Sequence, residues 1–143
     1  MRFMIIVKAS TDSEAGIMPG EGVIDGMGRF NQGLIDRGLL VAAEGLQASS
    51  KGARVRYSDS GVTVTDGPFA ETKELIAGFW IVDVRSREEV IGLVTDLMRQ
   101  VPFEEGEEIE IRKVFEASDW QEGGVDPDRI EKEQEQRRLA GGA

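Results

Sequence analysis

Two short segments of this chain are apolar on both sides of an extended backbone. Between Arg2 and Lys8, Phe3, Ile5 and Val7 fall on one side and Met4 and Ile6 on the other; between Gly78 and Val84, Phe79 and Ile81 alternate with Trp80, Val82 and Val84. A strand wetted on one face alternates apolar with polar, so a strand apolar at every position needs cover on both faces. These segments are therefore central strands of a covered sheet.

Helical periodicity separates them. Val23, Met27, Phe30 and Leu34 recur at steps of four, three and four, with Asp25, Arg29, Gln32 and Asp36 on the other side, and the pattern stops at Arg37-Gly38. Glycine closes a helix cheaply because it enters the left-handed region without a Cβ clash. A second helix starts at the capping box Ser86-Arg87-Glu88-Glu89, buries Val90, Val94, Leu97, Met98 and Val101, and ends before Pro102. Leu39 to Leu46 reads as a strand. Residues 54 to 57 and 62 to 65, around Ser58-Asp59-Ser60-Gly61, read as a hairpin. Residues 109 to 115 carry one apolar face, Ile109 and Ile111, opposite Glu110 and Arg112, as an edge strand does.

The order strand, helix, strand, hairpin, strand, helix, strand predicts an α+β, ferredoxin-like split βαβ fold with an inserted hairpin. Right-handed crossovers put both helices on one side of the sheet. The other side then presents Met4, Ile6, one of Trp80 or Phe79, and one of Val82 or Ile81. That apolar area is too large to leave wet in a monomer. A second copy packed sheet against sheet about a two-fold axis is the expected cover.

Composition removes most familiar chemistries. With 143 residues the chain suits one domain. Cysteine and histidine are absent, which excludes disulfides, thiol nucleophiles, imidazole relays and the usual zinc sites. A net charge of −10 argues against nucleic acid or an anionic membrane as partner. The short opening run ends at Lys8, without the form of a signal peptide, and a cytoplasmic protein is expected. The scattered glycines match no nucleotide-phosphate motif, and the acidic run Glu104 to Glu110 lacks the spacing of a calcium loop, so neither cofactor nor metal is expected. Beyond residues 1–116, the stretch 117–143 turns polar and charged, with Asp126-Pro127 as a helix start and only Ile130 and Leu139 as sizeable apolar residues in the helix. It reads as a charged tail, with a short helix that docks lightly or on a partner subunit.

Glu44-Gly45-Leu46 and the run Thr65-Asp66-Gly67-Pro68-Phe69-Ala70-Glu71-Thr72-Lys73-Glu74 resemble the DGPF branch of the YCII-related family, over roughly residues 1–116. The resemblance implies a ferredoxin-like subunit pairing into a dimeric α+β barrel with a cleft in each subunit and mostly no established activity. Related members include a dehydrochlorinase acting on a chlorinated hydroxyquinol. Some similar proteins are encoded beside extracytoplasmic-function sigma factors, which implies a regulatory or detoxifying context. The better-known branch of the family uses a His and Asp pair. Here histidine is absent and Gln100-Val101 precede Pro102-Phe103, so that dyad is not carried over.

Five residues remain as candidates for a ligand site. Glu44 ends an apolar strand, where burial would raise its pKa and suit it to acid-base work; the alternative is an ordinary exposed strand end. Asp66 and Lys73 crowd with Glu71 and Glu74 beside the Gly67-Pro68 bend, although the bend has its own structural explanation. Arg112, opposite Ile109 and Ile111, should face the open side of the sheet, where a guanidinium suits a carboxylate or phenolate; a cross-strand ion pair is the plainer reading. Trp80 is either packing or a stacking platform. Two functions follow as expectations. One is a homodimer binding a small aromatic or anionic molecule, with cofactor-independent lyase or isomerase chemistry through Glu44 or Asp66. The other is a non-catalytic regulatory or protein-interaction partner.

Overall fold

The computed structural model describes residues 1–141, and residues 142 and 143 of the tail lie outside the described residues. The elements run β1 (Arg2–Lys8), α1 (Thr11–Glu14), α2 (Glu21–Asp36), β2 (Leu40–Gly45), β3 (Ala53–Ser58), β4 (Gly61–Asp66), β5 (Ile76–Asp83), α3 (Arg87–Gln100), β6 (Ile109–Lys113), α4 (Ala117–Glu122) and α5 (Pro127–Leu139). The sheet order is β2-β5-β1-β6 with every neighbouring pair antiparallel, and β3 pairs only with β4 in a separate ribbon. This is the ferredoxin-like α+β arrangement, with the ribbon inserted between the second and third core strands.

Register decides which side of each central strand faces the helices. Phe3 opposes Val82 and Ile5 opposes both Trp80 and Ile111, so these residues share one face. They join Leu34, Val84, Val90, Val94, Leu97 and Val101 in the core, where Ile5, Val82 and Val90 are fully buried. The two indistinguishable choices in β5 are thereby resolved: Trp80 and Val82 belong to the helix side, Phe79 and Ile81 to the other. Trp80 is held by two neighbours on α2. Phe30 meets its ring edge-on at 5.3 Å, and the Trp80 Nε1–H donates to Asn31 Oδ1 at 2.6 Å. A buried indole needs such an acceptor, because an unmatched N–H would keep its full desolvation cost.

Local signals account for most boundaries. Gly38, with φ +66°, ends α2. Ser86 Oγ accepts from Glu89 N at 3.1 Å, but Glu89 returns its carboxylate to Arg85 N at 2.8 Å rather than to Ser86, so the capping box is displaced by one residue. The hairpin turn is tighter than the four polar residues suggest: Ser58 pairs with Gly61, which leaves only Asp59 and Ser60 between the strands. The Lys8 to Gly20 loop contains a single helical turn, α1, capped reciprocally by Ser10 and Ser13. After β6 the chain folds into two helices over 117–139. Glu116 Oε1 accepts from Arg2 N at 2.9 Å, Lys113 pairs with Asp119 at 3.0 Å, and Asp126 caps α5. α5 packs against α4, and its Ile130 is buried. Among the described residues no helix is long and apolar enough to cross a membrane.

Candidate functional site

The strand register lays two rows across the sheet face opposite the main core. One runs Glu44, Phe79, Ile6, Glu110 from β2 to β6; the next runs Ala42, Ile81, Met4, Arg112. The four apolar residues at the centre are half-buried and stand apart from the core cluster, in contrast to Phe3, Ile5, Trp80 and Val82 behind them. The middle of this face is apolar and both of its edges are charged.

The β6 edge carries a three-residue ionic group. Lys8 Nζ lies 2.8 Å from Glu110 Oε2, and Arg112 Nη1 lies 3.1 Å from Glu110 Oε1, so each carboxylate oxygen has its own cation. The Lys8 hydrogen bond foremost, with that of Arg112 behind it, holds the Glu110 carboxyl below its ordinary value. Arg112 nevertheless keeps 71% of its side chain exposed and uses one guanidinium nitrogen on Glu110. Its remaining donors can meet a planar anion in bidentate fashion.

Glu44 stands at the other edge, exposed, beside Phe79. It is not drawn inside within one chain. Three interstrand steps of about 4.8 Å separate its strand from β6, roughly 14 Å in all. That is too far for Glu44 and Arg112 to pair, and suits an organic molecule lying across Phe79 and Ile6.

Asp66, Lys73 and the Gly67-Pro68 bend form a second place, at the base of the ribbon. Gly67 does not have a positive φ; its requirement is room. A Cβ on Gly67 would stand 1.8 Å from the Ser49 carbonyl oxygen, so only glycine permits this approach of the two backbones. Gly67 N donates to Gly52 O at 3.0 Å, and Phe69 N donates to Ser49 Oγ at 3.0 Å. Ser49 in turn donates from its hydroxyl to Glu14 Oε2, while its N–H donates to Glu14 Oε1 at 3.0 Å. The Arg54 guanidinium stacks 3.9 Å above the Phe69 ring. The Gly67–Pro68 peptide is cis. The bend is thus fastened by Glu14 and Ser49, which sequence reasoning missed. Ser10 and Ser13 were the one signal for α1, and nothing in the sequence linked it to a loop 35 residues on.

Asp66 and Lys73 are exposed, and among the described residues neither side chain has a hydrogen bond or ion pair. No such contact connects them to Glu44 or Arg112, and Trp80 is on the far side of the sheet with its N–H already engaged. The five candidates therefore occupy three locations rather than one. Among the described residues, no group of three or more acidic side chains gathers to hold a metal ion, the Glu104–Glu110 run included.

The YCII-related domain model matches residues 1–118, over four-fifths of the chain. The chain belongs to the YCII-related family. An uncharacterized protein of Rhizobium meliloti (strain 1021) is 35% identical over 68 residues, covering 48% of this chain and 55% of that protein. The chain thus spans about half the length of the curated relative it matches. The YCII-related region ends within α4, so α5 lies beyond the family match.

Proposed function

We propose that this YCII-related chain works as a homodimer that binds a small aromatic or anionic organic molecule on the sheet face bounded by Glu44 and Arg112. The observation that carries this reading is the pair of registered rows, in which a half-buried apolar strip of Met4, Ile6, Phe79 and Ile81 is flanked by an exposed carboxylate and a guanidinium that, among the described residues, engages Glu110 through one nitrogen. An aromatic ring lies on the strip, its anionic group meets Arg112, and a second copy closes the site from above. Lyase or isomerase chemistry through Glu44 requires that second copy. In one chain its carboxylate is exposed, whereas a proton-transfer group needs a drier setting to shift its pKa toward neutrality.

The test is a thermal-shift panel of aromatic carboxylates and phenolates on the full chain, its Arg112→Ala variant and its Glu44→Gln variant. A ligand at a hundredfold excess over Kd stabilises by about 2.7 kcal/mol, which moves the Tm of a domain this size by several degrees. The reading expects a shift that Arg112→Ala abolishes. A panel without any shift, or one unaffected by Arg112→Ala, contradicts it. The exposed apolar ribbon favours a second reading, a non-catalytic interaction protein, and a silent panel shifts weight to it.

A further inference from the structure

The three charges at the β6 edge do not cancel. Lys8 and Arg112 both hold the Glu110 carboxylate, at 2.8 and 3.1 Å, and among the described residues neither pairs with a second acid. Two cations and one anion leave one positive charge. The three side chains are unequally open: Arg112 is 71% exposed, Glu110 35% and Lys8 24%. Lys8 is therefore the recessed cation and Arg112 the accessible one. Register sets where the group stands, since Glu110 lies opposite Ile6 and Arg112 opposite Met4, at the border of the apolar strip. The hydrogen bonds of Lys8 and Arg112 hold the Glu110 carboxyl below its ordinary value, so it carries its charge at neutral pH.

We infer that Glu110 is the specificity residue of the sheet-face site, restricting its ligand to one negative charge at the Arg112 end. The inference rests on the proposed sheet-face site and names the charge of the molecule it takes. A carboxylate taken up by the Arg112 guanidinium stands beside Glu110, because the two share one planar group. With Lys8 on the other oxygen of Glu110, two cations then serve two carboxylates, and the group is neutral when it is covered. Balance matters there, since a charge without a partner keeps its desolvation cost. A second anionic group beside the first meets Glu110 with no cation left over. Like charges about 4 Å apart near a protein surface repel strongly enough to lower affinity by about tenfold or more at low salt. A neutral ligand leaves the surplus positive charge unmatched. Lys8 does not meet the ligand itself; it is a positioning residue that keeps Glu110 from claiming Arg112 alone.

The test is titration calorimetry of the full chain at low ionic strength, at a pH where both carboxyls of phthalate are ionised, with benzoate as the monoanion and phthalate as the matched dianion. Wild type should prefer benzoate by about tenfold or more. Glu110→Gln removes a charge but keeps an oxygen for one of the two cations, and should shift the preference toward phthalate by about tenfold or more. Glu88→Gln makes the same change in net charge at an exposed position of α3, on the helix side of the sheet, and should leave the preference as in wild type. Lys8→Gln leaves one cation for two carboxylates and should weaken benzoate binding. Adding Glu110→Gln to it should restore that binding, which a merely structural part for Lys8 would not do. If benzoate binds through Arg112, as its loss in Arg112→Ala shows, while Glu110→Gln leaves the preference unchanged or Glu88→Gln shifts it equally, the selectivity is overturned and the sheet-face site stands. If benzoate binding survives Arg112→Ala, or neither anion binds wild type or Glu110→Gln, the site falls and the selectivity with it.

Discussion

The inner face of the sheet and the apolar face of the ribbon are built from the same kinds of residue and end in opposite states. Phe3, Ile5, Trp80 and Val82 are at most 6% exposed, while Val55, Tyr57, Val62 and Val64 are at least 64% exposed. Composition does not explain the difference; connection does. β1 reaches β2, and β5 reaches β6, only through long crossovers, and each crossover carries a helix that lies back on the sheet. β3 reaches β4 through two residues, so that connection delivers no element to the ribbon's face. A pattern of alternation states that a face is to be covered; the length of the connection decides whether the same chain can do it.

The sharpest break of that comparison is a matched pair of truncations. Ile5→Ala empties a fully buried site and should cost about 2 to 5 kcal/mol at any protein concentration, whereas Val64→Ala should cost within about 0.5 kcal/mol in dilute solution. Urea denaturation at low and high protein concentration checks both. A concentration-dependent cost for Val64→Ala marks cover from a second copy, and a large cost in dilute solution would mean that the chain covers its own ribbon.

Gly67→Ala acts at the ribbon's root. The added Cβ collides with the Ser49 carbonyl, so the two backbones must part, and a loss of about 2 kcal/mol or more is expected in the same assay. Trp80→Phe keeps a ring against Phe30 but leaves Asn31 without its donor, for about 1 to 2 kcal/mol, accompanied by loss of the near-ultraviolet indole signal of a fixed environment. The smallest effect belongs to the ionic group at the β6 edge. Lys8 and Arg112 hold the Glu110 carboxyl below its ordinary value of 4.5, so its contribution is complete above that pH and is lost as pH falls through the lowered value. A urea midpoint followed downward from neutral pH should therefore fall less steeply in Glu110→Gln than in wild type. Added salt should narrow the gap, because the groups face water.

The sheet, its two covering helices and the ribbon were legible in the sequence because each depends on a local period or a local stop. Gly38, Ser86 and Asp126 mark their helix ends by chemistry confined to a few residues. The side of β5 that faces the helices was not legible, since Phe79 and Trp80 are equally apolar and parity has no mark of its own. It is set by Phe30 and Asn31, about a third of the chain away. Glu14 was missed for the same reason: a carboxylate in a polar loop has no signature until Ser49 and the Gly67 bend are brought to it. Thr65 to Glu74 read both as a structural bend and as a place for ligand groups; its fastened part serves a close backbone approach, and its charged residues lie apart from the sheet face.

Sedimentation equilibrium of the full chain at micromolar concentration tests most directly whether the apolar sheet face that the crossover helices leave uncovered is covered by a twin. The account predicts a mass twice the 15.7 kDa of one chain, reduced toward one chain by serine at position 81. A single-chain mass at every concentration would contradict it.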